Sequence, residues 1–111
     1  MAEFILYQQM LPAPELIAAM TGAPATIGTL LFTPVKLILD NQSTAPVVLS
    51  VNVGGGPIQW KTFSAGECLV LDDDLYTFPR GTIFTGNGAA SGNFSISYTY
   101  INYPTGVVNY P

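Results

Sequence analysis

Residues 94–101 read Phe-Ser-Ile-Ser-Tyr-Thr-Tyr-Ile, so that apolar side chains alternate with small hydroxyl-bearing ones. Successive side chains of a β-strand point to opposite faces. This period of two therefore places Phe94, Ile96 and Tyr98 on one face and the hydroxyl groups of serine and threonine on the other. The stretch predicts a strand with one face in a hydrophobic core and one polar face.

The same alternation occurs twice upstream, at residues 35–40 and 47–53. The intervening Asn-Gln-Ser-Thr-Ala-Pro at 41–46 is rich in turn-forming residues, and we expect it to join the two strands into an antiparallel hairpin. Gly54-Gly55-Gly56 lacks the Lys-Ser/Thr of a phosphate-binding loop and predicts a hairpin connection instead. Further strands are predicted between glycine- and proline-containing turns at 58–63, 67–72, 75–78 and 82–85.

Short strands separated by turns are typical of all-β chains. The 111 residues make one domain, because compact domains take about 100 to 150 residues. We therefore predict a single antiparallel β-sandwich or jelly-roll-like domain over residues 35–103. The residues predicted to face its core are Leu37, Leu39, Val47, Leu49, Val51, Leu69, Leu71, Phe94, Ile96 and Tyr98.

Residues 1–34 differ from the rest, since Glu3 and Glu15 are their only charged residues and four prolines punctuate them. Proline removes a donor from a strand ladder, so we expect an apolar N-terminal arm here and a C-terminal tail at 104–111. Pro14 and Gly22 stand where helices often begin and end, and they predict a short helix at 15–21. In the alternative interpretation, residues 4–9 and 25–32 are two more strands of the same sandwich.

Charged residues make up 9% of the chain and hydrophobic residues 49%, whereas an average soluble domain is about 25% charged. No apolar stretch approaches the roughly 20 residues that span a bilayer. We therefore expect the surplus apolar surface to be buried against other protein chains, in a homo-oligomer and against a further protein partner.

The residue inventory argues against several function classes. A net charge of −4 is opposite to what nucleic-acid binding requires. The chain has no histidine, so we expect no enzyme activity and no cofactor. Asp72-Asp73-Asp74 lacks the spacing of a calcium loop, and no metal site is predicted. Cys68, the single cysteine, is expected to be buried and inert, and the start of the chain lacks the basic segment of a signal peptide.

Apolar and tyrosine side chains near the two ends are the candidates for partner binding, because tyrosine buries apolar area while its hydroxyl keeps a hydrogen-bond partner. Trp60 is expected in the core, with a sugar-stacking platform as the alternative. The candidate partner-binding residues are Phe4, Ile5, Leu6, Tyr7, Met10, Leu11, Leu16, Ile17, Tyr103 and Tyr110.

The order of strands and turns resembles that of small β-sandwich structural proteins of tailed bacteriophage particles, especially capsid decoration or cement proteins. The segments that carry the resemblance are Leu-Ile-Leu-Asp-Asn at 37–41, Pro-Val-Val-Leu-Ser-Val at 46–51, Ala-Gly-Glu-Cys-Leu-Val-Leu at 65–71, Pro-Arg-Gly-Thr-Ile-Phe at 79–84 and Gly-Asn-Phe-Ser-Ile-Ser-Tyr at 92–98.

This resemblance implies a virion protein, made in the host cytoplasm, that binds coat-protein subunits and stabilises the particle. It implies a homo-oligomer, with a trimer preferred over a pentamer, and it carries over no catalytic residue. The alternative is a carbohydrate- or receptor-binding module of a spike or tail.

Overall fold

The computed structural model describes residues 9–72 and 78–102, and these form nine β-strands and no helix. The all-β prediction is therefore confirmed. The strands are β1 (Gln9–Pro12), β2 (Leu16–Ala19), β3 (Ala25–Thr29), β4 (Lys36–Asn41), β5 (Val47–Asn52), β6 (Pro57–Phe63), β7 (Cys68–Leu71), β8 (Ile83–Gly88) and β9 (Asn93–Asn102).

The strands form two antiparallel sheets. In the first sheet, β1 and β2 both pair with the same edge of β9, which is followed by β4 and β7; the second sheet has the order β3-β8-β5-β6. The chain thus runs out through β2 to β5 and returns through β6 to β9, pairing β5 with β6, β4 with β7, β3 with β8 and β2 with β9. This nested pairing is that of a jelly roll, to which β1 adds a short strand.

The core lies between the two sheets and draws on both. Phe63 of the second sheet meets Phe94 of the first edge to face, with ring centroids 5.0 Å apart. The predicted core residues are buried, except Leu69 and Leu71, which are half-buried and pack against the core. The buried hydrophobic residues are Met20, Ile27, Leu30, Leu37, Leu39, Val47, Leu49, Val51, Phe63, Phe84, Phe94, Ile96 and Tyr98.

The predicted boundary between an arm and the sandwich at residue 34 is wrong. Residues 9–34 supply β1 and β2 to the first sheet and β3 to the second, and Met20, Ile27 and Leu30 are buried in the core. The prolines of this segment lie on an edge strand or in connections, where a missing donor costs no ladder bond. Residues 1–8 and the predicted tail at 104–111 lie outside the described residues.

The predicted helix at 15–21 is also wrong, because Leu16–Ala19 is the strand β2. Its pairing with β9 joins Leu16 to Ile96 and Ala18 to Phe94, which brings both side chains against the core. Tertiary pairing here outweighs the helix propensity of Leu-Ile-Ala-Ala and its Pro and Gly flanks.

β4 and β5 do not form the predicted hairpin, since they belong to different sheets. The chain between them turns a corner around the buried side chain of Asn41, whose Nδ2 donates to the carbonyls of Ala45 and Ser64, each at 2.9 Å. The glycine run does connect a hairpin, β5–β6, in which Asn52 Oδ1 accepts from the Gly54 N–H at 2.9 Å.

Candidate protein-binding surfaces

The first sheet has an outer face that points away from the core. Residues that are paired across neighbouring strands lie on the same face of the sheet. Ile38, for example, is paired with Val70 and with Ser97, and all three point outward. By register, the outer face consists of Met10 and Pro12 on β1, Ile17 and Ala19 on β2, Lys36, Ile38 and Asp40 on β4, Cys68 and Val70 on β7, and Asn93, Ser95, Ser97, Thr99 and Ile101 on β9.

The outer face is poor in charge and contains large exposed apolar side chains. Ile17 and Val70 are each 48% exposed. Its only charged members are Lys36 and Asp40, which flank Ile38 on the same strand. Lys61, by contrast, lies on the second sheet in an ion pair with Glu67, 3.0 Å from Nζ to Oε2.

A shallow depression of about 190 Å³ opens on the outer face between β1 and β4. Pro12, Lys36, Ile38 and Thr99 are among its lining residues. Thr99 Oγ1 is buried and has no hydrogen-bond partner within the described part of the chain. The depression is therefore mainly apolar, with one unsatisfied hydroxyl in its wall.

A two-stranded ribbon projects beyond the body of the first sheet. β4 begins at Lys36, opposite Thr99, whereas β9 continues to Asn102 and stays paired with β1 down to Gln9. The ribbon is braced against the loop after β3, where Phe32 stacks on Tyr100 with ring centroids 3.8 Å apart and planes 7° apart.

We call this region the ribbon end and define it as Met10, Leu31, Phe32, Tyr100 and Ile101. Three of its side chains are exposed: Met10 to 58%, Leu31 to 53% and Phe32 to 37%. Nearby, the backbone N–H of Leu31 donates to the buried Tyr98 hydroxyl at 2.9 Å. The tyrosine thus fixes the loop that carries Leu31 and Phe32.

Of the predicted partner-binding residues that the structure describes, some are exposed and others are half-buried. Met10 and Ile17 are exposed on the outer face. Leu11 is half-buried and pairs with Tyr100. Leu16 is half-buried and packs against the core, so it offers less surface to a partner than Met10 or Ile17 does. The remaining candidates lie outside the described residues: Phe4, Ile5, Leu6, Tyr7, Tyr103 and Tyr110.

Trp60 is half-buried and packs against the core, and its ring meets that of Phe78 edge to face at 5.3 Å. The β5–β6 register skips one residue at Trp60, because Leu49 pairs with Lys61 and Ser50 with Gln59. A bulge at this edge strand changes the direction of the side chain. The core interpretation of Trp60 therefore fits better than an open sugar platform.

Cys68 is exposed on the outer face, so the prediction of a buried thiol is wrong. Leu69 and Leu71 take the inward positions of β7, which leaves Cys68 and Val70 outside. Asp72 is exposed, and Asp73 and Asp74 lie outside the described residues. In residues 9–72 and 78–102, no group of His, Cys, Asp and Glu side chains is arranged to hold a metal ion.

Sequence reasoning did not identify the outer face as a unit. Alternation along β4 and β7 does indicate outward positions for Ile38 and Val70, but the strand order that brings them together is not visible in a single sequence. None of the described segments contains a helix of the length and apolarity needed to cross a membrane. Comparisons with protein-family models, with curated proteins and with solved structures find no match to this chain.

Proposed function

We propose that this chain is a non-catalytic structural protein of a virus particle, which self-associates and binds coat-protein subunits in the manner of a capsid decoration protein. The observation that carries the proposal is the ribbon end, where Met10, Leu31 and Phe32 are all exposed. Leu31 and Phe32 follow each other in the loop that stacks on Tyr100, whereas Met10 lies with Ile101 on the opposite face of the ribbon. Exposed contiguous apolar side chains mark protein interaction sites.

The ribbon end is suited to a protein partner by its chemistry. None of its five members carries a charge, so a complementary surface must be apolar or neutral. Phe32 and Tyr100 are already stacked, and preordered aromatic side chains lose little conformational entropy on binding. Aromatic residues and methionine are also the types enriched at the centre of protein interfaces.

The fold gives support of a general kind. Jelly rolls are used by viral capsid and lectin domains, although a fold alone does not determine a function. The strand and turn order that resembles phage decoration proteins favours the capsid setting, and the half-buried Trp60 offers little to a sugar. The proposal accordingly includes a location in the virion and synthesis in the host cytoplasm.

Co-sedimentation with assembled particles of the virus that encodes the chain tests this proposal. Leu31→Glu places a charge on the ribbon end at a position that is not part of the outer face, and we expect it to weaken particle binding at least about tenfold, since an unpaired interfacial charge costs several kcal/mol. Ile58→Glu is the matched control, because Ile58 is 61% exposed on the second sheet and should leave binding unchanged. Absence of binding by the unchanged chain, or equal binding by all variants, would contradict the proposal.

A further inference from the structure

We infer that the outer face of the first sheet binds the outer face of a second copy of this chain, around a two-fold axis that passes over Ile38. The inference specifies the partner for the self-association in the proposed function and rests on that part of it. It replaces the expected trimer by a pair of chains joined through identical surfaces.

The charges of the outer face determine how two copies can stack. Lys36 and Asp40 lie four residues apart on β4, which is about 13 Å in an extended strand. A two-fold axis along the strands would place Lys36 over Lys36 of the second copy. An axis that lies in the interface and crosses the strands at Ile38 reverses β4, and it places Lys36 over Asp40 of the second copy twice.

The second arrangement also matches the apolar residues. Ile38, Val70 and Ser97 share one row across the sheet, and this row lies on the axis, so Ile38 and Val70 meet their own counterparts. The row that contains Asp40 includes Ser95 and Ile17, and it lies over the row of Lys36, Thr99 and Pro12.

Shape agrees with this pairing of rows. The depression of about 190 Å³ lies beside Pro12, Lys36 and Thr99. In the inferred dimer, the row that contains Ile17 in one copy lies over the depression of the other copy. Ile17 is 48% exposed and protrudes toward that depression. Each chain therefore supplies one protruding isoleucine and one apolar hollow. Two sheets that stack through such side chains lie about 10 Å apart.

Sedimentation equilibrium of the full chain over a range of concentrations tests the inference. We expect a monomer–dimer equilibrium, and Ile38→Glu should weaken it at least about tenfold because two like charges meet on the axis. Ile58→Glu adds the same charge to an exposed isoleucine of the other sheet and should leave dimerisation unchanged. Circular dichroism of both variants confirms that the fold is retained.

Exchange of the two charges tests the direction of the axis. Lys36→Glu and Asp40→Lys should each dimerise more weakly than the unchanged chain. An equimolar mixture of these two variants should form mixed dimers, because position 36 of each then meets an opposite charge at position 40 of the other. The double variant should dimerise like the unchanged chain.

Three outcomes would overturn the inference: a chain that stays monomeric at high micromolar concentration, a trimer, or an association that Ile38→Glu leaves unchanged. Particle binding by Ile38→Glu separates this inference from the proposed function. If dimerisation fails while particle binding persists, only the pairing of the outer faces is refuted. If particle binding fails while the dimer forms, the capsid proposal is refuted instead.

Discussion

Asn41 is the residue around which the chain passes from the first sheet to the second. Its side chain has no exposed surface, and it both donates and accepts hydrogen bonds. Nδ2 donates to the carbonyls of Ala45 and Ser64, and Oδ1 accepts from the backbone N–H of Ser43 at 3.0 Å and from its hydroxyl at 2.6 Å. Only an amide of this length satisfies donors and acceptors on both sides of the corner.

Asn41→Asp should therefore lower the free energy of unfolding by at least about 1 to 3 kcal/mol, because a carboxylate cannot donate to the buried carbonyls. Urea unfolding at neutral pH measures the change. Asn87→Asp makes the same substitution at an exposed position and should stay within about 0.5 kcal/mol of the unchanged chain. Equal effects of the two substitutions would show that the corner network adds no stability.

Leu49 tests the core itself, since it is fully buried. We expect Leu49→Ala to lower the free energy of unfolding by about 2 to 5 kcal/mol, through lost apolar contact and the cavity left behind. Leu31→Ala is the matched control, because Leu31 is 53% exposed. A melting temperature that Leu49→Ala leaves unchanged would refute the register of β5.

Glu67 gives stability a dependence on pH. The backbone N–H of Ser64 donates to Oε1 at 2.9 Å, and this bond, followed by the Lys61 ammonium, lowers the pKa of Glu67 below its ordinary value of 4.5. A lowered pKa in the folded chain means that the carboxylate stabilises the fold above the ordinary value and loses this effect as pH falls through the folded value.

We therefore expect Glu67→Gln to lower the melting temperature at neutral pH and to have a diminishing effect as the pH falls below 4.5. Thermal melts of both chains across the acidic range measure this difference. Glu15→Gln, at an exposed position in the connection before β2, serves as the comparison. A difference for Glu67→Gln that does not vary with pH would contradict the assigned contacts.

At the scale of elements, the turn between β8 and β9 depends on a glycine. Gly92 has a φ of 143°, and a Cβ there would lie 2.9 Å from Ser43 Cα. Gly92→Ala should cost about 1 to 3 kcal/mol through backbone strain, with a further cost from the contact. Gly55→Ala is the control, because a Cβ at Gly55 meets no atom within 4 Å. Urea denaturation of both variants measures the change in the free energy of unfolding. A Gly92→Ala variant as stable as the unchanged chain would contradict the described turn.

The success of sequence reasoning differs from one element to the next, for physical reasons. β5 and β9 alternate without interruption, so their inward residues are predictable from period alone. β2 is four residues long with good helix formers, and only its partner β9 makes it a strand. The residues at 41–46 favour a turn, but a turn within a sheet and a corner between sheets use the same residue types.

The candidate surfaces were likewise predictable from the sequence only in part. Met10 and Ile17 are visible in the sequence as apolar residues in a segment almost without charge. Lys36 and Asp40 also flank Ile38 in the sequence. They can be recognised as the charges of one apolar face only once β1, β9 and β7 are known to lie in the same sheet as β4. A single sequence contains the alternation within a strand and does not contain the order of strands across a sheet.

At the scale of the whole molecule, scarce charge controls solubility. The isoelectric point lies near 4.1, and a protein with few charges has little electrostatic repulsion left when its net charge approaches zero. We expect solubility to reach a minimum near pH 4, measured by light scattering during titration from neutral pH. Thr44→Lys, at an exposed position, should move the minimum to higher pH. Solubility that does not vary with pH would contradict this expectation.

β9 is the last strand of the described residues, yet β1, β2 and β4 all pair with it. β3 likewise has no partner until β8 exists. Contacts so distant along the chain form slowly, on the order of milliseconds to seconds in all-β proteins, because loop closure precedes any gain from pairing. The first sheet therefore cannot assemble on the ribosome until residues 93–102 emerge. β1, β2 and β3 therefore have no strand partner until β8 and β9 are made, and we expect the nascent chain to expose apolar surface for longer than a helical protein of equal length does.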